Sequence, residues 1–298
     1  MASLDVVCGE LSLVNAQLSV FDWEGVLRRV GADTTLHVRA LRLDENDLGG
    51  AGAALADATR RLERLSDLCI CDAKLGGSAC SDLLAALAAV PAFARTHAEV
   101  WAPIEVAPAT MQGARLVLMR NGISDADLGD GETGPRLTGV VELVLSGNAM
   151  IGDSSLRALT RLAPSLRTLH LGRTGITGTG DGGSGLGALE HAWPLLDALA
   201  MNGTPMSTAG FERLCKVLQA RARAVSTKKL LPPPPPAAAA AVGGGAQAKS
   251  AALPGGGAAA ESAHPYFHLD LRGIPSLAPV PLSLLLEKMK EFSREHAK

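Results

Sequence analysis

The chain has 298 residues, of which 47% are apolar and 19% are charged, and its formal net charge is -2. With 28 basic against 30 acidic residues in no long run of either sign, it has no basic footprint for nucleic acid and no polybasic segment for a membrane surface. No stretch reaches the roughly 18 continuous apolar residues of a membrane span, and the N-terminus lacks the organisation of a signal peptide, so we expect a cytoplasmic protein.

One short pattern recurs along the chain, the template LxxLxLxxNxL that is typical of leucine-rich repeats. The copy VRALRLDENDL (38–48) fits every position, and VVELVLSGNAM (140–150) fits with Val140 and Met150 at its ends. In chain order the copies begin at ELSLVNAQL (10–18) and continue through 38–48, LSDLCICDAKL (65–75), GARLVLMRNGI (113–123), 140–150, LRTLHLGRTGI (166–176), LDALAMNGTPM (196–206) and YFHLDLRGI (266–274).

Each copy predicts a short strand, because its apolar residues alternate. Successive central leucines lie 26 to 30 residues apart, except for steps of 48 and 70 residues, which we attribute to two insertions. This spacing suits a unit of one strand and one full helix. The central leucines are Leu11, Leu41, Leu68, Leu116, Leu143, Leu169, Leu199 and Leu269.

Between the strands the apolar period changes from 2 to about 3.6, which predicts helices. In residues 19–30 we assign Asp22 and Trp23 as the cap and the anchor of the first helix, and we expect Asp153 to cap a helix that ends before Pro164.

The alternation of strands and helices predicts an α/β fold with parallel strands. We expect a leucine-rich-repeat solenoid of the ribonuclease-inhibitor kind, with a curved parallel sheet on the concave face and helices on the convex face. The alternative is a doubly wound sheet, which needs no asparagine at a fixed offset after each strand.

The asparagine slot of the template falls where the chain turns out of each strand. Three copies hold Asn46, Asn121 and Asn148, whose amides can bond backbone groups that the turn leaves unpaired. Four other copies, which we expect to be less regular, hold Ala16, Ala73, Thr174 and Thr204.

Changes in composition divide the chain into three parts. Residues 1–222 form the predicted solenoid, with an insertion at about 91–112 that lengthens one unit. Residues 223–264 contain a proline run and Ala and Gly tracts with little to bury, so we predict a disordered linker. Residues 265–298 are expected to form a terminal repeat and a capping helix.

The residues that alternate with the core leucines are expected to line the exposed face of the sheet. In the middle strands they form an apolar stripe edged by charges of both signs, which is the anatomy of a protein-binding patch, although long parallel sheets also tolerate such residues without a partner. Val117→Glu with Val144→Lys is expected to abolish binding and leave the fold intact. The predicted partner-binding residues are Cys69, Cys71, Arg115, Val117, Met119, Glu142, Val144 and His170, with Trp101 from the insertion.

The sequence predicts no catalytic residue, no cofactor and no metal site. There is no nucleophile elbow, P-loop or HExxH, and GTGDGGSGLG (178–187) does not have the strand and helix spacing of a dinucleotide loop. Cys69 and Cys71 flank Ile70 on one face, but no histidine or acid pair lies at ligand spacing, so we expect an inert pair. The cysteines are odd in number and lack CxxC spacing, which indicates neither a disulfide framework nor a zinc site: Cys8, Cys69, Cys71, Cys80 and Cys215.

Two segments carry a family resemblance that covers roughly residues 10–225. In LVNAQLSVFDWEGVLRRV (13–30) an Asn-Ala pair precedes an Asp-Trp helix start, and in ARTHAEVWAPIE (94–105) a cluster of His, acid and Trp precedes the next strand. These segments resemble the first unit and the interrupted repeat of the centrosomal leucine-rich-repeat family known as centrosomal protein of 78 kDa. That family's long coiled-coil tail is not matched, since no sustained heptads follow the repeats.

The resemblance implies a non-enzymatic scaffold of mature centrioles and ciliary basal bodies that takes part in cilium formation. Its implied partners are a larger centriolar scaffold protein and a cullin-type ubiquitin-ligase receptor, with no nucleic acid and no membrane. The alternatives are a general adaptor, a ribonuclease-inhibitor-like binder, which we would expect to have many more cysteines, and a Ran-type GTPase activator. Ran-type activators usually carry a strongly acidic tail, whereas this chain ends in KMKEFSREHAK.

Overall fold

The computed structural model describes residues 9–17, 19–32, 37–95, 113–129, 134–180, 184–193, 196–229 and 268–272. Most of the predicted insertion, the linker from residue 230 onward and the predicted terminal helix lie outside these ranges. Within them, no helix has both the length and the apolar character that crossing a membrane requires.

Eight strands form one parallel sheet whose spatial order is the order of the chain. The central leucines of neighbouring strands are register partners from Leu11 through to Leu269, as the template predicts. A doubly wound sheet reverses its strand order at a switch point, so the sequential order excludes that alternative. The strands are β1 (Glu10–Ser12), β2 (Ala40–Arg42), β3 (Asp67–Cys69), β4 (Ala114–Val117), β5 (Val140–Val144), β6 (Thr168–His170), β7 (Ala198–Ala200) and β8 (His268–Asp270).

Helices connect the strands and pack side by side in two series, the first three and the last three, with a 3-10 helix packed between the two series. The last helix continues to Lys229, past the predicted boundary at residue 222, because Ala and Arg in ARARAVSTKK favour a helix. A short 3-10 helix, Asp125–Leu128, stands in the β4–β5 unit. The α-helices are α1 (Val20–Ala32), α2 (Gly52–Arg61), α3 (Ser78–Leu87), α4 (Pro91–Ala94), α5 (Ser155–Leu162), α6 (Ser184–His191) and α7 (Thr208–Lys229).

The strand leucines and the apolar faces of the helices form one continuous core. The first helix enters this core through Trp23, which is fully buried as expected. Its cap is Ser19, whose Oγ accepts the backbone N–H of Asp22, while the Asp22 carboxylate accepts the backbone N–H of Ser19. The predicted cap residue therefore makes the reciprocal bond of a capping box.

Asp153 does not cap its own helix, contrary to the sequence prediction. Helix α5 begins at Ser155 without a side-chain cap bond from the residue before it. The Asp153 carboxylate instead accepts backbone N–H groups of the next unit, from Thr177 at 3.1 Å, Gly178 at 2.8 Å and Gly180 at 2.8 Å. An acid at this position therefore joins two successive units.

The asparagine side chains join successive units in the same way. Asn148 is fully buried; its Oδ1 accepts the backbone N–H groups of Asn121 and Ile123, and its Nδ2 donates to the carbonyls of Leu118 and Leu145. This confirms that the asparagine satisfies backbone groups at the turn.

Copies without asparagine keep the same register, so the expectation that they are less regular is wrong for strand pairing. Two physical causes account for this. The backbone N–H groups of Ala16 and Ala73 are bonded by Asn46 and Asn121 of the following units. The hydroxyls of Thr174 and Thr204 donate to carbonyls three residues earlier in their own turns.

Candidate functional site

The predicted partner-binding residues lie on the face of the sheet opposite the core leucines, which we call the outer face. Two rows of register partners cross β3, β4 and β5 on this face. One row is Asp67, Arg115 and Glu142, and the other is Cys69, Val117 and Val144. The strand register thus brings together residues that are more than seventy positions apart in the chain.

The apolar row is not the exposed stripe that the sequence predicts. The exposed fractions of Cys69, Val117 and Val144 are 6%, 3% and 8%. Neighbouring strands lie only about 4.8 Å apart, so side chains in one row shield each other, and Cys71 and Met119 pack against the same cluster. The apolar surface available to a partner is therefore that of Cys71 and Met119, which are half-buried.

This burial also contradicts the expectation that Val117→Glu with Val144→Lys leaves the fold intact. Both substitutions place a charged group where a buried aliphatic side chain now packs, and burying a charge costs several kcal/mol. A loss of binding in this double variant would therefore report unfolding and not the removal of a contact with a partner.

A network of charges borders the apolar cluster at one end. Arg115 Nε lies 3.0 Å from Glu142 Oε1, and Arg115 Nη1 lies 3.6 Å from Asp67 Oδ2. Burial alone would lower the pKa of Arg115, but the hydrogen bond to Glu142 and the nearby acidic charges raise it. The guanidinium therefore remains charged and fixed in position between two acids.

His170 extends the apolar row by one strand, since it is the register partner of Val144. Its side chain is half-buried, and its partner on the next strand is Ala200. Beyond β6 the row continues through Ala200 to Asp270, so it changes from apolar to charged at the end of the sheet. Trp101, the residue predicted from the insertion, lies outside the described residues.

Two thiols and a carboxylate meet beside the apolar cluster, an arrangement that the sequence prediction missed. Cys69 Sγ lies 3.6 Å from Cys71 Sγ and 3.3 Å from Asp44 Oδ1, and the backbone N–H of Cys71 donates to Asp44 Oδ1 at 2.8 Å. The sequence prediction named no histidine or acid pair at ligand spacing, and the structure places one acid, Asp44, beside the two thiols. The sequence did contain a signal, because Asp44 and Cys71 occupy the same position of the template in successive copies.

The two thiols differ in acidity because they share a hydrogen bond. The bond to Cys71 and burial raise the pKa of Cys69, whereas the bond from Cys69 lowers the pKa of Cys71. Cys71, the half-exposed member of the pair, is consequently the thiol that loses its proton first.

A cleft of about 380 Å³ opens at the other end of the strands, where Arg39, Ser66 and Gly113 precede β2, β3 and β4. None of the predicted partner-binding residues that the structure describes lines it. The candidate site is therefore a surface of the sheet, separate from this cleft.

The glycine-rich loop after β6 has no free cradle for a phosphate within its described part. The backbone N–H groups of Gly178 and Gly180 are already bonded to Asp153, and those are the groups that a phosphate-binding loop offers.

Compared with known proteins, the chain matches no family model, and no curated protein matches it in sequence.

Proposed function

We propose that the chain is a leucine-rich-repeat solenoid that acts as a non-enzymatic protein-binding scaffold. The repeat assignment is supported by the sequential parallel sheet, by the register of the eight template leucines and by buried asparagines that bond the preceding unit. Repeats of this kind stack into an extended surface on which partners bind.

The outer face is the proposed binding surface, and one observation carries the proposal. A half-buried apolar edge, formed by Cys71 and Met119, lies just after the ends of β3 and β4, beyond a row of fixed charges formed by Asp67, Arg115 and Glu142. A partner with an apolar anchor flanked by charged groups fits this arrangement, because apolar centres with polar rims are typical of protein interfaces.

The place of action is the more specific part of the proposal. We propose that the chain works at the centriole or ciliary basal body, with a centriolar scaffold protein and a cullin-type ubiquitin-ligase receptor as partners. The support is the resemblance of residues 13–30 and 94–105 to the centrosomal family. A general adaptor or a Ran-type GTPase activator is the alternative.

The first experiment is to image a fluorescently tagged copy in ciliated cells beside a mother-centriole marker. A discrete spot at the mother centriole or basal body supports the centriolar proposal. A diffuse signal overturns it in favour of a general adaptor, and a signal at the nuclear rim overturns it in favour of the Ran-type activator.

Substitutions of two methionines test, in the same cells, whether the outer face is the binding surface. Met119→Glu places a charge on the apolar edge, whereas Met150→Glu places it on a side chain that is 67% exposed in the loop after β5. We expect Met119→Glu to abolish the centriolar spot and Met150→Glu to keep it. If both variants keep the spot, the outer face is not the binding surface.

A further inference from the structure

The structure assigns a zinc-binding site to Asp44, Cys69 and Cys71 on the outer face of the sheet, and we propose that these three side chains bind one zinc ion. Their ligand atoms all lie within 4.8 Å of one another. This inference does not depend on the proposed scaffold function, since it concerns a property of the purified chain alone.

The strand register produces this convergence. Arg42 is the register partner of Cys69, so two residues further along Asp44 faces Cys71. The parallel ladder continues past the end of β3, where the backbone N–H groups of Ile70 and Asp72 donate to the carbonyls of Val117 and Met119. An extended backbone places alternate side chains on one face, and both thiols therefore point to the same side of the sheet.

Two of the three separations between the ligand atoms are close to those of tetrahedral zinc coordination. With Zn–S of about 2.3 Å and Zn–O of about 2.0 Å, the S···S edge is about 3.8 Å and the S···O edge is about 3.5 Å. The observed separations are 3.6 Å between the two sulfurs and 3.3 and 3.7 Å from Cys69 Sγ to the two Asp44 oxygens. Two edges of the site therefore already have about the length that a zinc ion needs, and the third, from Cys71 Sγ to Asp44, lies within 4.8 Å.

The surroundings of the three groups also suit a bound ion. The Asp44 carboxylate is held in orientation by the backbone N–H of Cys71 at 2.8 Å, which is the kind of outer support that metal ligands need. The buried side chains of Val117 and Val144 stand next to the thiols, so the ligands are partly shielded from water. Half-exposed Cys71 and Asp44 leave a route for the ion and a fourth position for a water molecule.

The ligand set selects the class of metal. Two thiolates are soft ligands that favour zinc, whereas magnesium and calcium prefer sites made of oxygen alone. Each thiol loses its proton to solvent when the Zn–S bond forms, and the metal keeps its oxidation state, so no oxidant is required.

A disulfide between the same cysteines is the less favourable alternative. Residues two apart in an extended strand have Cα atoms about 6.6 Å apart, which is at the outer end of the range of about 4.4–6.8 Å that disulfides span. The strand would have to shorten to close the bond, whereas the metal fits the separation already present.

The test is a zinc titration of the reduced full-length chain in competition with a chromophoric chelator, followed by replacement with cobalt. We expect one equivalent of zinc to bind, and the cobalt form to show thiolate charge-transfer absorption and the bands of a tetrahedral ion. Cys69→Ser and Cys71→Ser should each weaken binding by at least about 100-fold, and Asp44→Asn by about 10-fold or more.

Cys215→Ser is the matched control, because Cys215 is a half-buried thiol on α7, away from Asp44, and it should bind zinc as the wild type does. Protection of Cys69 and Cys71 from alkylation by zinc, read by mass spectrometry on the wild type, tests the site even where a variant fails to fold. The proposal is overturned if no stoichiometric zinc binds, if binding survives both serine variants, or if zinc leaves the alkylation of Cys69 and Cys71 unchanged.

Discussion

Asn148 holds the turn that contains Asn121, since its side-chain Oδ1 accepts the backbone N–H of Asn121 at 2.8 Å. Asn121 repeats the relationship one unit earlier by accepting the backbone N–H of Ala73 at 2.9 Å. Buried backbone groups need partners, and the turns of Ala16, Ala73 and Asn121 receive them from the asparagine side chain of the unit that follows. The asparagines therefore link neighbouring units as well as shaping their own turns.

Asn148→Ala should lower the free energy of unfolding by at least about 3 kcal/mol. The substitution removes four hydrogen bonds and leaves the backbone groups of two turns buried without partners. Urea denaturation followed by circular dichroism measures the change. Thr174→Ala is the control, because it removes a single bond to Leu171 and should cost about 1 kcal/mol. Equal losses in the two variants would contradict the bridging role.

The sheet could be predicted from the sequence because its register follows a local pattern. Each central leucine is recognised from its own copy of the template, and all eight prove to be register partners. The buried asparagines could be predicted for the same reason, since the backbone groups they bond lie at a fixed offset from each strand.

The candidate site was predicted less well, because its properties depend on several units at once. The burial of Val117 arises from side chains on both neighbouring strands, and a single strand does not reveal how closely they pack. The contact between Asp44 and Cys71 joins two copies of the template, and neither copy reveals it alone. Asp153 differs from the cap that the sequence predicts because its carboxylate bonds the following unit and not its own helix.

Val117→Glu should lower the free energy of unfolding by at least about 3 kcal/mol, because it buries a carboxylate at a site that is 3% exposed. Met119→Glu, two residues further along the same face and half-buried, should cost about 1 kcal/mol or less. Urea denaturation of both variants gives the comparison. If the two variants are equally stable, Val117 is more accessible than its packing shows.

Trp23 and Trp193, which are both fully buried, should respond differently to replacement by phenylalanine. Trp193 Nε1 donates to the carbonyl of Ala163 at 2.7 Å, whereas Trp23 Nε1 has no acceptor among the described residues. Both substitutions remove similar volume, but only Trp193→Phe leaves a buried carbonyl unpaired. We expect Trp193→Phe to cost about 1–2 kcal/mol more than Trp23→Phe in urea denaturation. The reverse order would mean that the Ala163 bond contributes no net stability.

Asp153→Asn should destabilise the fold at neutral pH and lose this effect in acid. Burial alone would raise the pKa of Asp153, but hydrogen bonds from Thr177, Gly178 and Gly180 outweigh it and lower the pKa. A lowered pKa gives stability that is present above the unfolded value of about 3.9 and lost as the pH falls through the folded value.

Urea denaturation of Asp153→Asn should therefore show a loss of about 1–2 kcal/mol at neutral pH and a smaller loss below a pH of about 4. Asp57→Asn is the control, because Asp57 forms an exposed ion pair with Arg61, and such pairs contribute about 0–1 kcal/mol. A loss that stays constant with pH would show that the charge of Asp153 has no part in joining the units.

The strands of the sheet follow the order of the chain, and this order also determines how the molecule unfolds. Each strand pairs only with the strands before and after it in the chain, so cooperativity has to pass from one neighbour to the next as it does in a linear array. Fraying from either end breaks one interface at a time and leaves the others intact. The β4–β5 pair, which has the most extensive pairing and the Asn148 bonds at its end, is then the last part of the array to open.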